Sequence, residues 1–364
     1  MLAPLLLGFA VLAPNRIVPP RPIAVGDVQV WGFLMPAGLA ALAAALLPGR
    51  VAALACGVAL CGLLGGLDDV AGRLTGSSPA ARLGPGGGAW VAFGALLLAA
   101  RLALGRAQVG AAGRAATAMA FVATIGLMAA LGLLGDLGLV REAAARGVEL
   151  RTALAGHLEL VAAALVPALA VGVALGAFAF VSPRAGPAVI GVLAALQVIP
   201  AMALFALLIE PLAALGRAVP LLREAGLRGI GAAPAVIGVF LYLLLPIAAA
   251  TRSALGAAPA AAVDAARGLG FAPGQVLLRV RLPLGAPVFL GGLRTAAVQA
   301  VGLVTLGALV GAGGFGVLMF QGLGQFAPDL ILLGALPVAV LALVLDAGLR
   351  ALEEAMDRRR AGAA

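Results

Sequence analysis

The chain has 364 residues, 63% of them hydrophobic and 11% charged, with a mean hydropathy of +1.15. A soluble fold cannot hide that much apolar surface, so the composition is that of a polytopic membrane protein. The formal charge of +9 comes from 24 basic residues that are all Arg and sit mostly singly between apolar runs, without the clustered stripe of a nucleic-acid site.

Absent residue types narrow the function further. With no Lys, a Walker A phosphate loop and Schiff-base chemistry are both excluded. His157 is the only histidine, which argues against an HExxH zinc site or a Ser-His catalytic set. Cys56 and Cys61 share one apolar run and read as small core residues. Catalysis by this chain alone is not expected, and no metal site is predicted.

Apolar runs of spanning length, about 17–25 residues, fall near 1–14, 31–47, 51–67, 89–105, 117–135, 157–181, 187–209, 230–250, 285–310 and 330–349. The expected fold is therefore all-α, with about ten transmembrane helices. The first run has no basic n-region or A-x-A-like cleavage site, which marks it as an anchor and not a cleaved signal. The first five runs are plain Ala/Leu/Gly hydrophobes, and residues 1–150 read as an accessory membrane block. Residues 136–156 join this block to the later runs and hold a charged stretch, Arg141 to Arg151. That stretch reads either as a solvated connector helix or as a docking point for an outside partner.

After Glu149 the runs acquire Pro, Gln, Thr and Arg at internal positions, as membrane helices do where they face a cavity or a partner helix. Residues 151–352 therefore read as the transport domain, and 353–364 as a polar tail carrying Arg358, Arg359 and Arg360. Gln197 and Pro200 put a polar side chain and a helix breaker in one span, where a kink lines a pathway or simply serves packing. Trp31, Trp90 and Tyr242 are too far apart in sequence to suggest an aromatic cage.

The polar stretch 251–283 carries the sharpest signal. Ala258-Pro259 opens a run of helix formers, Ala260 to Arg267, which Gly268 and Gly270 stop. Pro273 sits where a first helical turn tolerates it, and a second short helix is predicted over Val276 to Arg281, ended by Leu282-Pro283. In the next span, Arg294 either snorkels to the interface or faces the translocation path with Thr295 and Gln299. Gly311 to Gly316 spell G-x-G-x-x-G, but they come after a membrane span and not a strand, so a dinucleotide site is rejected. Residues 311–329 are too polar for a regular span and read as re-entrant or interfacial.

Asp264-Ala265-Ala266, three residues, Gly270, nine residues, then Val280, Leu282 and Pro283 reproduce the spacing E-A-A…G…I-x-L-P. This resembles the cytoplasmic motif of ABC importer permeases, with Asp in place of Glu and Val in place of Ile. Residues 157–349 resemble more narrowly the permeases of osmoprotectant importers of the glycine betaine/choline type, through Leu196 to Phe205, Leu241 to Ile247 and Leu282 to Gly316. The extra N-terminal spans are similar to those of a longer branch of that family.

The resemblance implies a type I ABC importer permease core that docks on an ABC ATPase dimer through Asp264, Ala265, Ala266, Gly270, Val280, Leu282 and Pro283. It also implies a second permease subunit, an extracytoplasmic solute-binding protein and a surrounding lipid membrane. ATP and Mg would be used by the partner ATPase, with no cofactor bound by this chain. The expected location is the bacterial inner membrane with both termini in the cytoplasm, and the expected cargo is glycine betaine or a related quaternary ammonium osmolyte. Another small solute, such as an amino acid, is the first alternative. A self-contained secondary transporter is the second, although the paired intramembrane acids or inverted repeat it would need are not evident.

Overall fold

The computed structural model describes residues 7–15, 20–24, 26, 31–76, 78, 80–224 and 226–361. In chain order the elements are β1 (Ala10–Ala13), β2 (Arg21–Ile23), α1 (Trp31–Leu46), α2 (Gly49–Thr75), β3 (Arg82–Pro85), α3 (Gly87–Arg106), α4 (Ala111–Ala130), α5 (Gly138–Ala145) and α6 (Gly147–Val181). They continue with α7 (Gly186–Val198), α8 (Ala201–Ala218), α9 (Pro220–Glu224), α10 (Ala232–Gly256), α11 (Ala260–Gly268) and α12 (Pro273–Val276). A π-helical turn (Leu277–Arg281) leads into α13 (Leu282–Leu306), followed by a 3-10 turn, α14 (Gly316–Gly324) and α15 (Pro328–Ala361).

Among the described residues, eight helical stretches are long and apolar enough to cross a membrane, against about ten expected. The two runs without a counterpart are 1–14 and 31–47, the second of which forms the 16-residue α1, and a third run is also altered. The described part of the first apolar run holds β1, the central strand of a small antiparallel sheet in the order β2-β1-β3, so the described residues are helical with one short sheet. The run at 187–209 is broken at Ile199-Pro200 into the 13-residue α7 and the 18-residue α8, because Pro200 has no amide to continue the ladder.

The chain divides into two compact units. One comprises residues 1–148 and 321–333, the other 149–320 and 334–364. In the first, Leu63 and Leu67 of α2 are fully buried with Phe9 and Leu83 of the strand region. Register pairs Leu12 with Leu83 and Ala10 with Ile23. The same unit contains a buried ionic cluster: Glu142 of α5 is 4% exposed and lies 2.6 Å from Arg146 and 3.7 Å from Arg82. Arg82 is in turn 3.6 Å from Asp329. The charged stretch at 141–151 is thus not a plain solvated connector, since Glu142 is one of its buried anchors.

In the second unit, α10 forms the centre. Val239, Leu243 and Ile247 are fully buried against Ala164 and Ala168 of α6 and Ala296 and Ala300 of α13. Small residues set the spacing. Gly172 and Gly176 on α6 meet Ile247 and Ala248, while Gly285 and Gly292 on α13 meet Ala254 and Ala250. Between membrane helices there is little hydrophobic gain from association, so close backbone approach through glycine and alanine supplies the dispersion contact that holds them.

Candidate functional site

The polar stretch between α10 and α13 is a helical hairpin whose turn is dictated by one glycine. Gly270 has φ +81°, a left-handed conformation that glycine adopts without strain. The Phe271 N–H donates to the Ala266 carbonyl at 3.1 Å and the Gly270 N–H to the Arg267 carbonyl at 2.9 Å. Together these bonds are a Schellman motif, which satisfies carbonyls left orphaned at the end of α11. Phe271 then packs on Val263 and Ala266, with Val276 and Val280 closing the small core from the second arm.

The second arm departs from expectation. Leu282 and Pro283 do not end a helix; they lie in the first turn of α13, continuous with α12 through the π turn. Pro283 cannot donate to the carbonyl of Arg279, and its ring would crowd that carbonyl in a regular α-helix. The wider turn relieves the crowding, with the Leu282 N–H donating to the Leu277 carbonyl five residues back.

Asp264 and Arg267 project from α11, 70% and 66% exposed, and pair at 3.6 Å. Leu269, at the tip, is 78% exposed. Ala265 is also exposed, while Ala266 faces the hairpin core. The motif residues are therefore of two kinds. Ala266, Gly270, Val280 and Pro283 shape the hairpin, and Asp264 and Ala265 form its outward surface together with Leu269, which lies outside the motif. Arg281, which sequence reasoning passed over, fastens the hairpin to the core: its guanidinium donates to the Leu255 carbonyl at the end of α10 at 2.7 Å and lies 5.0 Å from the Phe180 ring of α6. A cation at a helix C-terminus is electrostatically favoured there.

Gln197 and Pro200 sit together at the α7–α8 break, where the Gln197 amide donates to the Tyr242 carbonyl at 2.8 Å. Thr295 is exposed on α13 and bonds the carbonyl of Gly291 at 3.1 Å; Gln299, one turn on, is half-buried. Arg294 is held by two carboxylates of the last helix, Asp346 at 3.4 Å and Glu353 at 3.3 Å. Both partners are distant in sequence and only the structure brings them in. Replacing Arg294 with Met is expected to cost about 1–3 kcal/mol, because it leaves partly buried carboxylates under-neutralised; thermal unfolding of the purified protein in detergent measures it.

A family model for binding-protein-dependent transport system inner membrane components matches residues 168–360, just over half of the chain. The chain belongs to that family. A second model, the N-terminal domain of the ABC transporter permease YehY, matches residues 1–140. The osmoprotectant import permease protein OsmW of Salmonella typhimurium (strain LT2) is 38% identical, with the match covering 52% of this permease and 83% of OsmW. The carnitine transport permease protein OpuCB of Listeria monocytogenes is 36% identical over 54% of this permease and 83% of its own length. A chain of the inward-facing MetNI methionine ABC transporter (CY5 native crystal form) shares the fold, with a TM-score of 0.50 at 19% identity, covering 57% of this permease and 96% of that chain. The fold is that of a type I ABC importer permease.

The glycine run at 311–316 has three left-handed residues, Gly311, Gly313 and Gly314. Gly316 packs directly on the Thr305 carbonyl, where no Cβ fits. This is a tight reversal between helices, with no preceding strand of the kind a dinucleotide fingerprint requires.

Proposed function

We propose that this permease admits glycine betaine or a related quaternary ammonium osmolyte as part of an ATP-driven importer. The solute reading is supported by the identities of 38% and 36% to permeases named for osmoprotectant and carnitine transport. Its mechanical part is carried by the hairpin, a small self-capped element with Asp264 and Leu269 outward and Arg281 fastening it to the core. Such an element suits docking in a cleft of a partner ATPase, which would hydrolyse ATP with Mg while this chain holds neither. A second permease subunit would complete the pathway, and an extracytoplasmic binding protein would select the solute. Residues 1–150 then form the accessory block and 151–352 the transport domain.

With the hairpin in the cytoplasm, α15 returns the chain to that side. On the same assumption, counting back through the helices would put the α2–α3 connection, which holds β3, on the outer face, and β1 would lie there with it.

Uptake of radiolabelled glycine betaine into proteoliposomes containing the permease, its ATPase, companion permease and binding protein tests this reading. ATP-dependent uptake is expected, and Leu269→Glu should reduce it at least about tenfold by placing a charge where an apolar contact forms, worth about 1.5–3 kcal/mol. Hydrolysis without betaine uptake would overturn the solute, and a complex that retains no ATPase would overturn the coupling role.

A further inference from the structure

Two prolines interrupt backbone hydrogen bonding in helices that touch each other. Pro200 separates α7 from α8 and leaves Ile199 at φ −68°, ψ 124°, outside the helical region. Pro246 lies within α10. Having no amide N–H, Pro246 cannot donate to the carbonyl four residues back, which is that of Tyr242. The Gln197 side chain donates to that carbonyl at 2.8 Å. In return, the Tyr242 hydroxyl donates to the Ile199 carbonyl, which the break at Pro200 has taken out of the helical ladder. The Gln197 side chain thus replaces the donor that Pro246 lacks, and the Tyr242 hydroxyl serves a carbonyl that the break at Pro200 has turned out of the ladder.

We propose that Gln197 and Tyr242 are positioning residues for transport, forming a reciprocal splice that fixes the α7–α8 break and fastens it to α10. Tyr242 is 7% exposed, and a carbonyl inside hydrocarbon has no water to turn to, so both bonds resist loss. The splice also joins the break to the helix whose C-terminal carbonyl Arg281 holds, so that the break and the hairpin are anchored to one rod. The sequence makes Gln197 a pathway candidate; in the fold its amide is directed at the backbone and not at solute. The transport part of this inference rests on the proposed importer function, whereas the hydrogen-bond exchange does not.

The test uses the assembled complex in proteoliposomes and in detergent. Gln197→Met keeps the side-chain volume and removes the donor; Tyr242→Phe keeps the ring and removes the hydroxyl. Each is expected to lower the maximal rate of uptake and of binding-protein-stimulated ATP hydrolysis about tenfold, with the half-saturating solute concentration changed less than about twofold, and the melting temperature by about 4 °C. Pro246→Ala restores the N–H that the Tyr242 carbonyl lacks. In that background Gln197→Met should fall within about twofold of its parent, while Tyr242→Phe remains impaired. A Gln197→Met defect of equal size with and without Pro246 would overturn the splice. If the Pro246→Ala parent does not assemble, Gln197→Met alone decides: an unmodified rate and melting temperature would overturn the proposal. Absence of betaine uptake by the unmodified complex, with the ATPase and melting effects intact, would count against the solute only.

Discussion

Gly270→Val is expected to abolish uptake while the partner ATPase continues to hydrolyse ATP. A Cβ at Gly270 would meet nothing within 4 Å, so the defect would not be a clash. It would come from the backbone, because φ +81° costs an ordinary residue about 1–2 kcal/mol and a β-branched residue is disfavoured still more. Driving this residue out of the left-handed region breaks both bonds of the α11 cap and withdraws Phe271 from Val263, so the hairpin loses the shape that a cleft would grip. Gly270→Asn should keep most of the uptake, since Asn tolerates this conformation. Gly268→Ala, which has open space around it and no left-handed φ, should be silent. Uptake and hydrolysis measured on the same vesicles separate these variants. Full transport by Gly270→Val would remove the coupling role from the hairpin.

The second large effect lies at the α10–α13 contact. A Cβ on Gly285 would overlap the Ala254 carbonyl oxygen, and one on Gly292 would overlap the Ala250 Cβ. Neither neighbour is a flexible side chain that can swing aside, so the helices must separate. Gly285→Leu and Gly292→Val are each expected to cost about 3 kcal/mol or more through overpacking, and together to prevent accumulation of folded permease. Gly302→Ala on the same helix, with nothing within 4 Å, should be neutral or stabilising by about 0.5–1 kcal/mol. Monodispersity and melting temperature in detergent give the comparison. A well-folded Gly285→Leu protein would show that the two helices can part here without losing the fold.

How much of this was legible in the sequence depends on the range of the interaction involved. The α11 helix was readable because its signals are local: Pro259 before it, helix formers within it and Gly270 after it. Long apolar runs gave most of the membrane helices for the same reason. The strand β1 was not readable, because four residues of an apolar run become a strand only by pairing with partners near residues 22 and 84. The continuity of α12 with α13 was hidden because a proline after a short helix reads as a stop unless a π turn absorbs it. Arg294 looks free to serve a pathway in the sequence, since Asp346 and Glu353 lie far along the chain. Tyr242 reads as a lone ring; its hydroxyl matters because of where Pro200 leaves a carbonyl, which spacing alone does not reveal.

The unbroken run from Pro273 to Leu306 has a consequence for how force travels. At about 1.5 Å per residue it is a rod roughly 50 Å long. One end lies in the hairpin and the rest is embedded in the core. Tilting such a rod about its hairpin end by a single degree carries the far end through about 0.9 Å. A lever of these proportions needs only a few degrees of rotation at the hairpin to shift its distant end by the width of a methyl group.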